Sequence, residues 1–204
     1  MKTPFQKYSI YGLILFIITS ISFFIFYSWY LESNPKLPKY GLLPNFRLTE
    51  RSGKTITLNH FRNKVWVADF IFTNCAGICP TMTMTMKELS LDIDTSKVRL
   101  VSITVDPDRD NLEALNSYAD AFEAPKDQWL FLRDDKIKLY SLIKNGFNLP
   151  VSEESLTLEE PIIHSSKFVL IDKRFYIRGY YDSDEVESMN QLVKDINKLV
   201  KSRY

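Results

Sequence analysis

The chain is poor in the residues that most metal and disulfide scaffolds need. It holds only 2 cysteines and 2 histidines in 204 residues. Two cysteines cannot build a disulfide framework or a four-thiolate cluster, and two histidines exclude a three-histidine zinc site. An excess of one charge is also missing, since 26 Lys and Arg stand against 25 Asp and Glu for a formal net charge of +1. That balance argues against nucleic acid as a partner, because phosphate backbones are held by a basic surplus. No C-x-x-C-H is present, which removes covalent haem attachment. Internal repeats and low-complexity tracts are absent as well. The 45% hydrophobic and 25% charged residues are those of a folded chain rather than a disordered or fibrous one.

What is present begins with an uncharged run. No charge lies between Lys7 and Glu32, and Tyr8 to Leu31 reads YSIYGLILFIITSISFFIFYSWYL. As a helix this run spans about 36 Å, against a hydrocarbon core of about 30 Å. Tyr8, Tyr11, Tyr27, Trp29 and Tyr30 sit near its ends, where amphipathic rings favour the headgroup layer. No small-x-small cleavage site follows, and no cysteine that could carry a lipid. The expectation is an uncleaved single-pass anchor at 8–31 behind a short cytoplasmic tail at 1–7. Residues 32–45, with three prolines at Pro35, Pro38 and Pro44, read as a tether and then an entry segment.

Residues 46–204 read as one domain, large enough for a sizeable core. Strand-like runs are Val65–Thr73, Val98–Asp106, Trp129–Arg133, Lys167–Asp172 and Phe175–Tyr181. Helical patterns fall near Pro80–Leu91, Asn111–Glu123, Lys136–Asn145 and Asp184–Lys201, and Gly53 and Asn63 mark turns around a small hairpin. Val65–Thr73 and Val98–Asp106 are nearly continuous apolar runs, as expected of strands covered on both faces. The order predicts an α/β fold, a mixed sheet flanked by helices with thioredoxin-like topology.

The chemistry centres on Phe70–Pro80, FIFTNCAGICP. A buried strand ends, Cys75 and Cys79 follow, and Pro80 suits the first turn of a helix, where its missing N–H costs nothing. The thiols therefore fall at the positive end of a helix dipole, which favours thiolate. Spaced i and i+4, the two sulfurs face the same side of one turn. They can share a soft metal ion such as Cu(I), with a third, nitrogen ligand completing a trigonal site. The same proximity approaches the separation a disulfide tolerates, so the pair also suits a redox couple. The bland alternative is two inert buried thiols.

The run WVADFIFTNCAGICPTM (Trp66–Met82), then SITVDPDRD (Ser102–Asp110), then IIHSSKFVLID (Ile162–Asp172) resembles the SCO/SenC family. The resemblance covers essentially the whole domain. It implies a membrane-anchored copper protein of thioredoxin-like fold that serves assembly of the copper centre of cytochrome c oxidase. It also implies copper ligands at Cys75, Cys79 and His164. From the residues alone, a single histidine ahead of an apolar strand reads more readily as structural; the resemblance makes His164 the third ligand. The chain departs from the family pattern at Ala76, Gly77 and Ile78 between the cysteines and at Asn111 after VDPDRD. Neither departure removes a ligand.

Other residues attract functional readings. Asp106 ends a strand on the cysteine side; an Asp-Pro turn capping the next helix is preferred over a weak oxygen ligand. Asp69 interrupts an apolar run, either as an acid assisting the thiols or as a carboxylate on a partly solvated face. In the run Met82, Met84, Met86, helical spacing separates Met84 from the other two, so core packing is preferred over a copper relay. His60 reads as a surface turn histidine. Residues 145–163 carry Glu153, Glu154, Glu159 and Glu160 ahead of His164 and read as an acidic loop.

The expected function is a copper metallochaperone, with copper as Cu(I), Cu(II) or both. Its partner would be the copper-accepting subunit of cytochrome c oxidase, and its domain would face the periplasm from the inner membrane of a bacterium. The alternative is a thiol–disulfide oxidoreductase that reduces the cysteines of that subunit. A peroxiredoxin-like peroxidase is disfavoured, because Ala68 and Phe72 stand where P-x-x-x-[ST]-x-x-C needs Pro and Thr or Ser. No hydrolase-type catalytic residues are assigned.

Overall fold

The computed structural model describes residues 4–33, 37–94, 96–150 and 165–202. The chain divides into two compact units, residues 1–37 and 38–204.

The first unit contains one helix, α1 (Pro4–Ser33). Within it Tyr11–Tyr30 has a mean hydropathy of 2.0 and none of it is buried, so length and composition suffice to cross a membrane.

The second unit is built on an eight-stranded sheet. Its strands are β1 (Gly41–Leu42), β2 (Arg47–Glu50), β3 (Thr55–Thr57), β4 (Val65–Ile71), β5 (Val98–Thr104), β6 (Trp129–Arg133), β7 (Lys167–Ile171) and β8 (Tyr176–Asp182). The helices are α2 (Cys79–Asp92), α3 (Leu112–Ala121), α4 (Lys136–Ser141), which continues as a π-helical turn over Leu142–Gly146, and α5 (Val186–Lys201). The sheet order is β1-β8-β7-β4-β5-β6-β2-β3. β4, β5 and β6 run parallel, while β7 lies antiparallel to both β4 and β8. This mixed sheet flanked by helices is the expected thioredoxin-like arrangement. Within the expected tether, Gly41–Leu42 already pairs with β8.

Local chemistry explains the elements. All seven residues of β4 are buried, as a β-branched and aromatic run covered on both faces requires. One face of the sheet sends Trp66, Ala68 and Phe70 into a core shared with Leu139, Ile143 and Phe147. Trp66 stacks on Phe61 at 4.4 Å between ring centroids, and Phe147 meets Phe70 edge-on at 5.0 Å. Val67 and Asp69 alternate onto the opposite face. In α5 the buried Leu192, Ile196 and Leu199 recur at helical spacing. Gly53 closes the β2–β3 hairpin at φ +84°, in the left-handed region that favours glycine. Gly146 is required by close approach: a Cβ there would lie 2.9 Å from Leu142 Cδ1 and 3.1 Å from Pro44 Cδ.

β4 stops at Ile71, short of the expected Thr73, because the Thr73 N–H leaves the ladder and donates to the Asp110 side chain. β5 likewise ends at Thr104 rather than Asp106.

Candidate metal centre

Parallel β4, β5 and β6 bring their carboxyl ends to one edge of the sheet, where ligands of open α/β sheets gather. The chain leaves β4 at this edge, turns through Phe72–Ile78 and enters α2 at Cys79. Cys75 is half-buried on the turn, and Cys79 is 3% exposed in the first turn of the helix. Both are free thiols.

The start of α2 is bare of ordinary capping. Its N-cap is Ile78, with no side-chain hydrogen bond and no acid in the first turn. A helix start leaves unpaired N–H groups and a positive dipole end. Cys75 answers them: its sulfur takes hydrogen bonds from the backbone N–H groups of Cys79, Gly77 and Ile78 and from the Cys79 thiol. Burial alone would raise the Cys75 thiol, yet these hydrogen bonds together outweigh burial and leave it below the usual thiol range. Cys79 moves the other way. Burial pushes it up to about 12, with the neighbouring Cys75 and Asp69 charges adding to the rise, while a hydrogen bond from the Phe72 backbone offsets a part. The two sulfurs are thus close enough to hydrogen-bond one another and unequal in acidity.

Asp69 stands beside this pair. It is fully buried, and among the described residues neither carboxylate oxygen has a partner in good hydrogen-bond geometry. Burial pushes its carboxyl up to about 7, with Ser102 opposite on β5 offsetting only part. The partly solvated face expected as one reading of Asp69 is therefore not what surrounds it: the side chain is sealed from solvent, with Cys79 of α2 and Tyr118 of α3 among the groups near it. Tyr118 of α3 also lies near, its hydroxyl 2.7 Å from Thr83 Oγ1, which donates to the Cys79 carbonyl at 2.8 Å. Burial raises the Tyr118 phenol, and the charges of Asp69, Cys79 and Cys75 add to the rise.

The third expected ligand, His164, and most of the acidic segment before it lie outside the described residues. Ser165 and Ser166 are described and lead into β7 at Lys167. The antiparallel register pairs Trp66 with Ile171 and Ala68 with Val169, so β7 begins where β4 ends. The chain immediately after His164 thus enters the sheet at the cysteine edge. Among the described residues, no three His, Cys, Asp or Glu side chains gather as a metal site.

The remaining expectations divide. Met82 and Met86 are buried and Met84 is exposed, which is core packing for two of the three. His60 is exposed, and its Nδ1 accepts the Thr57 N–H at 3.0 Å, a local turn role. Asp106 does open a turn, its carbonyl accepting from the Arg109 and Asp110 N–H groups. The cap it was expected to supply for α3 comes instead from Asn111, whose Oδ1 accepts the Ala114 N–H at 2.9 Å. Asp106 is buried behind Arg109, five residues too early to reach the first turn of α3. The residues that sequence reasoning missed are Thr73, Thr83, Thr104, Asp110 and Tyr118. Their partners lie up to 37 positions away, and no local period announces such pairs.

Comparisons with known proteins converge. The family model SCO1/SenC matches residues 35–201. The SCO1 protein homolog of Bacillus subtilis is 31% identical over 156 residues, covering 74% of this chain and 79% of that protein. A Stutzerimonas stutzeri protein described as a candidate copper-binding protein is 30% identical over 148 residues, covering 71% of each. Among solved structures, BsSco has a TM-score of 0.72 at 25% identity, covering 83% of this chain and 100% of that one. BsSco is described as a member of the Sco family of cytochrome c oxidase assembly proteins in which a disulfide switch was identified.

Proposed function

The chain belongs to the SCO1/SenC family, and from that premise we propose that it is a copper metallochaperone holding its cargo through Cys75, Cys79 and His164. The observation that carries the reading is the pairing of two thiols at an uncapped helix start, with backbone N–H groups converging on Cys75. Such a site stabilises negative sulfur before any metal arrives. Soft thiolates suit Cu(I), and an imidazole as third ligand also admits Cu(II). The entry of β7 at the same sheet edge supports His164 as that imidazole. Copper is described for the Stutzerimonas relative and oxidase assembly for BsSco. Carried to this chain, they make the copper-accepting subunit of cytochrome c oxidase its partner. In this reading α1 spans the inner membrane of a bacterium, behind a cytoplasmic tail at 1–7, and the domain works in the periplasm.

Transfer then proceeds by exchange of ligands onto the partner's donors. Copper uptake displaces protons, above all from Cys79, so affinity falls as pH falls.

A second reading has its own support. The unequal thiols, Cys75 acidic and accessible and Cys79 buried and raised, are the division of labour between an attacking and a resolving cysteine. The same chain then reduces the partner's disulfide before copper arrives. One experiment separates the two: copper transfer and disulfide reduction are both followed on the soluble copper domain of an oxidase subunit. His164→Ala abolishes copper transfer and leaves disulfide reduction intact if delivery depends on the three-ligand site. Undiminished copper transfer by His164→Ala rejects that site.

A further inference from the structure

The turn that carries Cys75 is exposed at Asn74, Ala76 and Gly77, yet its sulfur must stay within reach of Cys79 and three amides. Its local bond is weak: the Cys75 N–H donates to the Phe72 carbonyl at 3.3 Å. The stronger hold comes from 37 residues away. Asp110 accepts the Thr73 N–H at 3.1 Å and the Thr73 hydroxyl at 2.6 Å on Oδ1, and the Thr104 hydroxyl at 2.5 Å on Oδ2. Asp110 is itself fully buried and pinned. Its N–H donates to the Asp106 carbonyl at 2.9 Å, and its carbonyl accepts Arg133 Nε at 2.9 Å. Arg133 also donates to the Pro107 carbonyl at 2.8 Å, tying β6 into the same loop.

Three donors on a buried carboxylate make a strong, charge-assisted cluster. The cluster is not a helix cap, because Asn111 performs that task for α3. Among the described residues it is not a salt bridge either, since the donors to its carboxylate are two hydroxyls and an amide. On the β4 side it fixes the position of Thr73, two residues before Cys75. We propose that Asp110 is the positioning residue of the dithiol: through Thr73 it holds the β4–α2 turn so that the Cys75 sulfur stays against Cys79. The inference deepens the proposed function only in treating Cys75 and Cys79 as one unit, and it needs no copper.

The test reads how strongly the two thiols favour each other. The full chain in detergent, metal-free, is equilibrated with glutathione. Protein dithiol plus one glutathione disulfide gives the Cys75–Cys79 disulfide plus two glutathione thiols, so two electrons and both thiol hydrogens pass to glutathione. Alkylation and mass measurement give the equilibrium constant. Thr73→Val, which loses the hydroxyl donor, lowers that constant about 5-fold, and Asp110→Asn lowers it about 10-fold, the scale of a hydrogen bond to a charged group. Thr73→Ser restores the wild-type value. The double variant is no worse than Asp110→Asn alone, because both act through one contact. Leu48→Ala on β2, separated from β4 by β5 and β6, destabilises the fold without moving the constant. An unchanged constant in Thr73→Val overturns the inference, as does an equal shift in Leu48→Ala. Should Asp110→Asn not fold, the Thr73 pair decides the matter. A wild-type chain that takes up no copper but shows these shifts would sink the copper reading and leave the positioning role standing.

Discussion

Two turns leave neighbouring parallel strands at the same sheet edge and treat their helices in opposite ways. The β5–α3 turn ends in an ordinary cap: Asn111 accepts the Ala114 N–H, and Glu113 supplies an acid in the first turn. The β4–α2 turn supplies neither, and the N–H groups at the start of α2 meet a sulfur instead. The first turn completes its helix for stability and contributes Asp110 as scaffold. The second leaves its helix incomplete, and the vacancy tunes a reactive group. Departure from a local rule marks the site here, as principles of sequence consistency anticipate.

That contrast can be broken at several points. The largest effect belongs to Asp69, whose raised carboxyl makes native stability depend on pH. Below about pH 4 it is protonated in both states and costs nothing. Between pH 4 and about 7 the native state keeps a proton that the unfolded state releases, so stability falls as pH rises. Asp69→Asn removes the slope: relative to wild type it gains about 4 kcal/mol between pH 4 and pH 8. Urea unfolding at the two pH values checks this, and parallel profiles would refute it. Next comes thiol selectivity. At pH 8 iodoacetamide modifies Cys75 more than about tenfold faster than Cys79, because only the former has an appreciable thiolate fraction. Peptide mapping after partial labelling reads the ratio, and equal labelling would contradict the asymmetry. The smallest effect sharpens the comparison from the other side. Asn111→Ala removes the α3 cap and costs about 1 kcal/mol of stability, while the Cys75 labelling rate stays as in wild type.

Much of this was legible before any coordinates. The apolar runs marked β4 and β5 because strands covered on both faces cannot alternate, and Pro80 marked the start of α2 within one residue. Helical spacing alone separated buried Met82 and Met86 from exposed Met84. The cysteine pair followed from its place between strand and helix. What stayed hidden depends on long-range pairing. Asp110 drew no reading of its own within SITVDPDRD, and only the parallel register of β4 and β5 brings it onto Thr73. Asp69 stayed open between an acid assisting the thiols and a carboxylate on a partly solvated face, since alternation gives its side of the sheet but not how tightly that side is sealed. The cap of α3 was misplaced by five residues because an Asp-Pro turn and an Asn cap stand in series.

In the proposed function two sulfurs and one imidazole hold a single copper ion. Native mass spectrometry of the full chain in detergent, loaded with copper and freed of excess, tests it most directly. One copper per wild-type chain is expected, none retained by Cys75→Ser or Cys79→Ser, and affinity lowered at least about 10-fold in His164→Ala. Retention of copper by either cysteine variant at the wild-type level, or an unaltered affinity in His164→Ala, would contradict it.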